Sequence, residues 1–297
     1  MISKIKRFAA VVCACGLVAF TGCSGQASRT GAGTAGKPIV AVSIVPEATF
    51  AKAVCGDLAQ IVTIVPPGSS PETYEPTPKA MADFSSAQIY FTIGVPVETA
   101  SVLQKVPNTM KVVKLEEKVA KAYPDRKFES GERDPHIWLS PKRAKVMVQT
   151  IADEMSTLDS AHKAQYEANA KNYEKQLDSL DTDLKSTLSS VQNKTFIVFH
   201  PAFGYFADEY GLKMVALEQE GKESTAQHMQ ELVDLAKKDG AKAIFFQAET
   251  DSKQANAFAE EIGGKTVELA PLAADYENNL KKMASTIADA VKIENNK

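Results

Sequence analysis

The chain carries four histidines, and two of them stand where a loop meets a regular element. His136 lies in Asp134-Pro135-His136-Ile137-Trp138-Leu139-Ser140-Pro141, just ahead of a capped helix start. His200 directly follows the apolar run Phe196–Phe199 and opens His200-Pro201-Ala202-Phe203-Gly204-Tyr205. A third candidate, Glu72, sits in the rigid, turn-rich loop Pro66–Pro76. Imidazole together with carboxylate suits Zn²⁺, and Mn²⁺ or Fe²⁺ less selectively. The plainer alternative is that both histidines are cap or hinge residues with satisfied hydrogen bonds. His162 and His228 fall within helical patterns and are expected to be solvated surface residues. Two histidines and a glutamate around an open position also describe a zinc hydrolase. No H-E-x-x-H, G-x-S-x-G or Walker A sequence accompanies them, and nothing identifies a general base. A binding protein for a chelated metal would need a wider cleft lined with aromatics or arginines, and histidines that look like direct ligands speak against it.

The elements that must hold these residues alternate. Short β-branched runs at Ile39–Val45, Gln60–Val65, Ile89–Ile93 and Val112–Leu115 read as four strands, with Phe50, Val54 and Leu58 on one intervening helix face. Thr77-Pro78 is a cap followed by proline at the first helical position, with Met81 and Phe84 facing inward behind it. After Pro141, Ala144, Val148, Ile151, Met155 and Leu158 form one helical stripe. The period then holds through Tyr166, Ala170, Tyr173, Leu177, Leu180, Leu184, Leu188 and Val191, without Gly or Pro, as one long amphipathic helix. Four more strands follow at Phe196–Phe199, Met214–Leu217, Ala243–Phe246 and Thr266–Leu269, with helices near Met229–Lys238, Lys253–Ile262 and Leu280–Val291. The expected fold is α/β: two lobes, each a four-stranded parallel sheet flanked by helices, joined by one long helix. The boundaries are 37–158, 159–191 and 192–297. Ligands of such sheets bind beyond the carboxyl ends of the strands, which here is the cleft between the lobes.

The amino end reads differently. Lys4, Lys6 and Arg7 precede an apolar run, Phe8–Phe20, too short to span a bilayer comfortably. Thr21-Gly22-Cys23 then resembles the bacterial lipobox, so residues 1–22 are expected to be a lipoprotein signal and Cys23 the acylated anchor. Residues 23–36, rich in Ser, Gly, Ala and Thr, read as a disordered tether that leaves the domain extracytoplasmic and membrane-anchored. Gly31–Gly36 matches G-x-G-x-x-G by letter, but with no strand before it and no helix after it. Cys55 alone stays in the fold, as buried packing, which excludes a disulfide framework or a cysteine zinc site. A net charge of −3 with interspersed signs gives no reason to invoke nucleic acid.

At these segments the chain resembles the metal-specific solute-binding proteins of ABC importers, the group called cluster 9 or class A-I. The resemblance runs from about Lys37 to the end and is carried by Pro71–Pro76, Asp134–Pro141 and His200–Gly211, in the family's order and spacing. It implies two parallel-sheet lobes, a rigid linking helix and one metal ion held in the cleft. It also implies a monomeric binding protein rather than an enzyme, with hand-over to a membrane permease. His136 and His200 match family metal ligands. Glu72 stands where the family commonly has histidine, and Ala270-Pro271-Leu272 stands where it presents Asp-Pro-Leu. The histidine-rich loop of many zinc-specific members is missing between Glu116 and Arg133. Histidine at the third position favours zinc over manganese, while glutamate at the first pulls toward harder ions. Zinc is therefore expected, with Mn²⁺ or Fe²⁺ as alternatives. Glu72 is expected to take the histidine's place as a ligand, and the fourth position falls to Gln247, to water or to Glu249. An adhesive role at a host surface has no signature in the residues.

Overall fold

The computed structural model describes residues 36–189, 191, 195–218, 224–250 and 253–292. The signal, Cys23 and nearly all of the tether lie outside the described residues. In chain order the elements are β1 (Ile39–Val42), α1 (Val45–Cys55), β2 (Gln60–Thr63), α2 (Pro78–Ser85), β3 (Ile89–Thr92), β4 (Lys111–Lys114), α3 (Leu115–Ala122) and α4 (Pro141–Leu158). Then come α5 (Lys163–Ser189), β5 (Thr195–Val198), α6 (Gly204–Tyr210), β6 (Lys213–Ala216), α7 (Ala226–Asp239), β7 (Ala243–Gln247), α8 (Lys253–Glu261), β8 (Lys265–Leu269) and α9 (Tyr276–Lys292).

The strands form two parallel sheets of one topology, β2-β1-β3-β4 and β6-β5-β7-β8. In each, the chain leaves the first strand in one direction and returns on its other side, so a crevice opens at the carboxyl ends of the central strands. Helices cover both sheets, which is why the central strands β3 and β5 are buried at every residue. The linking helix α5 spans 27 residues, about 40 Å at 1.5 Å per residue. Its stripe Tyr166, Ala170, Tyr173, Leu177, Leu180, Leu184 and Leu188 is buried. Helix α5 packs on α1 and α4 of the first lobe and on α6 and α9 of the second.

Several boundaries differ from the sequence reading, each for a local reason. The first strand stops at Val42 because Val45-Pro46 already begins α1, whose Glu47 carboxylate accepts the Ser43 and Ile44 N–H groups at 3.0 and 3.1 Å. That helix ends at Cys55, since Gly56 turns away at φ 55°, so Leu58 belongs to the following turn instead of the helix face. On α4 the stripe is buried as far as Met155, but Leu158 is 41% exposed at the helix end. Cys55 is buried, and burial pushes its thiol up to about 12, well outside the reactive range.

Candidate metal centre

Three different local structures deliver three side chains to the same point. The loop after β2 is folded on Ser70, whose carbonyl accepts the N–H groups of Thr73 and Tyr74 at 3.3 and 3.0 Å and whose Oγ accepts that of Glu72 at 3.3 Å. Val97 N–H donates to Pro71 O at 3.1 Å and ties the loop to the segment after β3. His136 immediately precedes a single 3₁₀ turn, Ile137–Leu139, after which Ser140 caps α4 by accepting the Arg143 N–H at 3.3 Å. His200 lies just past β5, where the ladder runs on as Glu218 N–H donating to Phe199 O at 2.8 Å. That last bond sets Glu218 beside His200.

The Glu72 Oε1 atom lies 3.9 Å from His136 Nε2 and 3.9 Å from His200 Nε2. The two imidazole centroids are 5.3 Å apart and their planes cross at 74°. Among the described residues these three are the one group of histidine, cysteine and acidic side chains whose donor atoms lie within 4.8 Å of one another. Tetrahedral zinc ligands at 2.0–2.2 Å sit roughly 3.3–3.6 Å apart. The two Glu72–imidazole separations of 3.9 Å exceed that by about half an ångström, so an ion would draw the carboxylate in only slightly toward each ring.

The other nitrogen of each imidazole is committed. His136 Nδ1 is 2.7 Å from Asp134 Oδ1, which also accepts the His136 N–H at 3.0 Å. His200 Nδ1 is 2.8 Å from Glu218 Oε2. An ionised carboxylate only accepts, so each Nδ1 carries the proton and each Nε2 turns a lone pair inward. His200 Nε2 is buried and finds no hydrogen-bond partner among the described residues. A buried nitrogen left in that state is costly unless something binds it. Carboxylate-backed imidazoles with a free Nε2 are how metal-ligating histidines are held.

Gln247, at the end of β7, is buried, and with Ser70, Trp138, Pro271 and Leu272 it lines a cavity of about 10 Å³ against Glu72 and His136. That is room for about one water molecule. The same cavity wall is fixed across the lobes, with Trp138 Nε1 donating to Pro271 O at 3.0 Å and Tyr276 OH donating to Trp138 O at 2.6 Å. Glu249 is partly buried, and burial pushes its carboxyl up, but it does not line this cavity. His162 is exposed beside Asp159, as the helical pattern predicts. His228 departs from that reading. It is half-buried in the first turn of α7, with Nε2 3.4 Å from Ala216 O, and it faces a separate groove. Sequence reasoning also missed Asp134 and Glu218. The Asp-Pro-His order was a usable signal for Asp134, whereas Glu218 lies 18 residues from its histidine with no periodicity linking them.

Known proteins with this architecture have a consistent character. The family described as "ZnuA: Zinc-uptake complex component A periplasmic" matches residues 40–290. The chain is 32% identical over 297 aligned positions to the zinc-binding lipoprotein AdcA of Streptococcus pneumoniae, covering 94% of this chain and 57% of that one. It thus spans little more than half the length of that relative. It is 31% identical to the high-affinity zinc uptake system protein ZnuA of Bacillus subtilis, over 86% of this chain and 85% of that one. The crystal structure of a zinc-bound ZnuA deletion mutant superposes with a TM-score of 0.81 at 36% identity, over 86% of this chain and 98% of the other.

Proposed function

The chain belongs to the family of the periplasmic component A of zinc-uptake complexes, and from that premise we propose that it captures Zn²⁺ outside the cytoplasm and delivers it to an ABC permease. His136, His200 and Glu72 hold the ion, each imidazole through Nε2 and Glu72 through Oε1. The fourth position is a water molecule in the small cavity, within the surroundings of the Gln247 amide. The observation that carries this reading is the pair of inward Nε2 atoms, each fixed by a carboxylate behind it, facing one shared carboxylate oxygen. The space beside Glu72 and His136 holds about one water molecule, which suits a bare ion with one exchangeable position. Two imidazoles and a carboxylate would also accept Mn²⁺ or Fe²⁺, but zinc binds such donors more tightly, and the relatives are named for zinc.

The protein acts as a monomer, tethered by acylated Cys23, with lobes 37–158 and 192–297 joined by the segment 159–191. The lobe limits are supported by the sheets, since each draws all four strands from one side of α5. Elemental analysis of protein purified without added metal, followed by a zinc-soaked crystal, tests the assignment. The expected result is one zinc per chain with a Glu72 oxygen at about 2.0–2.2 Å. A Glu72 carboxylate turned to solvent would remove it from the site, and a chain that takes up no zinc would overturn the function.

A further inference from the structure

We propose that Arg126 is a positioning residue of this site: it locks the Asp134–His136 pair of one lobe against α6 of the other and thereby slows release of the ion. The proposal rests on the reading that His136 is a ligand.

Asp134 is fully buried and divides its carboxylate between two tasks. Oδ1 holds His136, while Oδ2 lies 3.2 Å from Arg126 Nε, an ion pair without hydrogen-bond geometry. The backbones of the same two residues are joined by Asp134 N–H donating to Arg126 O at 3.0 Å. Arg126 then reaches the second lobe twice. Its Nη1 donates to Asp208 Oδ2 at 2.8 Å, and its backbone N–H donates to Tyr205 OH at 2.8 Å. Tyr205 OH in turn donates to Asp134 O at 3.2 Å. A buried carboxylate that orients a ligand needs a compensating charge, and here the guanidinium supplying it is anchored in the opposite lobe.

Gly204 makes the arrangement possible. A Cβ at that position would collide with Arg126 Nε and would come within 2.6 Å of Arg126 Cδ and 2.7 Å of Asp134 Oδ2. The guanidinium therefore passes directly over the first residue of α6. Beyond Arg126 the chain folds into a short hairpin. Lys127 bridges Arg133, Phe128 N–H donates to Glu132 O at 2.9 Å, and Arg133 pairs with Asp125 at 2.7 Å. Residues 127–130 overhang a groove of about 650 Å³, across from Met214, Val215 and His228. Among the described contacts, Arg126 joins the base of this strap to the second lobe, so displacing its side chain acts on Asp134 and His136.

The test measures zinc release to an excess chelator, equilibrium zinc affinity by competition, and the imidazole N–H proton resonances of His136 and His200. Arg126→Ala removes the side chain; Gly204→Ala displaces it without changing any charge, at a backbone position outside the left-handed region. Partners behind metal-bound histidines commonly set affinity by 10–100-fold. Both variants should therefore release zinc roughly 10–100 times faster and lose the His136 resonance while keeping that of His200. Arg126→Lys should recover part of the rate, and Lys127→Ala should behave as wild type. Wild-type release from both Arg126→Ala and Gly204→Ala would overturn the proposal, as would equal loss of both resonances. If His136→Ala itself retains zinc, the ligand assignment has failed and the strap's role falls with it.

Discussion

Glu72 sets a carboxylate oxygen 3.9 Å from both imidazole nitrogens, at a position where resemblance leads one to expect a third imidazole. The substitution changes the charge of the site but not its reach, since Asp or Glu oxygen and His nitrogen bind zinc at nearly the same length. Glu72→Ala should therefore weaken zinc binding clearly, and Glu72→His should retain or tighten it, both read by competition against a chelator of known affinity. Ala270→Asp, which returns the carboxylate the resemblance leads one to expect, should tighten it further. An unchanged affinity for Glu72→Ala would show that the carboxylate is a bystander. The three candidate ligands that the fold brings together were legible because each follows or precedes a recognisable element. Their carboxylate partners were not: Asp134 and Glu218 act through contacts that only the folded chain creates.

Elements explain why some of the fold was readable and some was not. Most of the strands among the described residues are short β-branched or aromatic runs between turn residues, a pattern that survives in sequence. Helix α6 escaped because it is only seven residues long and its cap, Phe203, offers no side-chain acceptor. Leu158 misled because periodicity continues past the point where the helix leaves the core. Beneath the Glu72 loop, Glu98 holds the end of β3 by accepting Ile93 and Gly94 N–H at 2.8 and 2.9 Å and Ser43 OH at 2.5 Å. Burial pushes its carboxyl up to about 7, next to the buried Glu47, whose own carboxyl is raised by burial and by Glu98. The folded state therefore keeps this proton where the unfolded chain has lost it. Stability contributed by protonated Glu98 is complete below its unfolded pKa, near 4.3, and is lost as pH rises through about 7. Glu98→Gln cannot ionise, so its stability relative to wild type should improve from pH 5 to pH 8 in denaturant titrations. A difference independent of pH would contradict this.

The unit that begins at Lys37 is tied together by α5 and α9. A continuous apolar cluster runs from β1 and β3 through the α5 stripe to β5 and α9, and Tyr276 of α9 packs edge-on to Phe50 of α1 at 4.9 Å. Leu184→Ala, fully buried near the carboxyl end of that stripe, should cost about 2–5 kcal/mol and lower one cooperative transition. Two separated transitions would show that the lobes melt independently. Zinc held between the lobes should raise the melting temperature, because the ion binds the folded chain preferentially. The most direct measurement is that zinc-induced shift in each of the four single histidine-to-alanine variants. His136→Ala and His200→Ala should lose most of the shift, while His162→Ala and His228→Ala should keep it. An equal loss from all four, or a full shift retained without His136 and His200, would contradict the account.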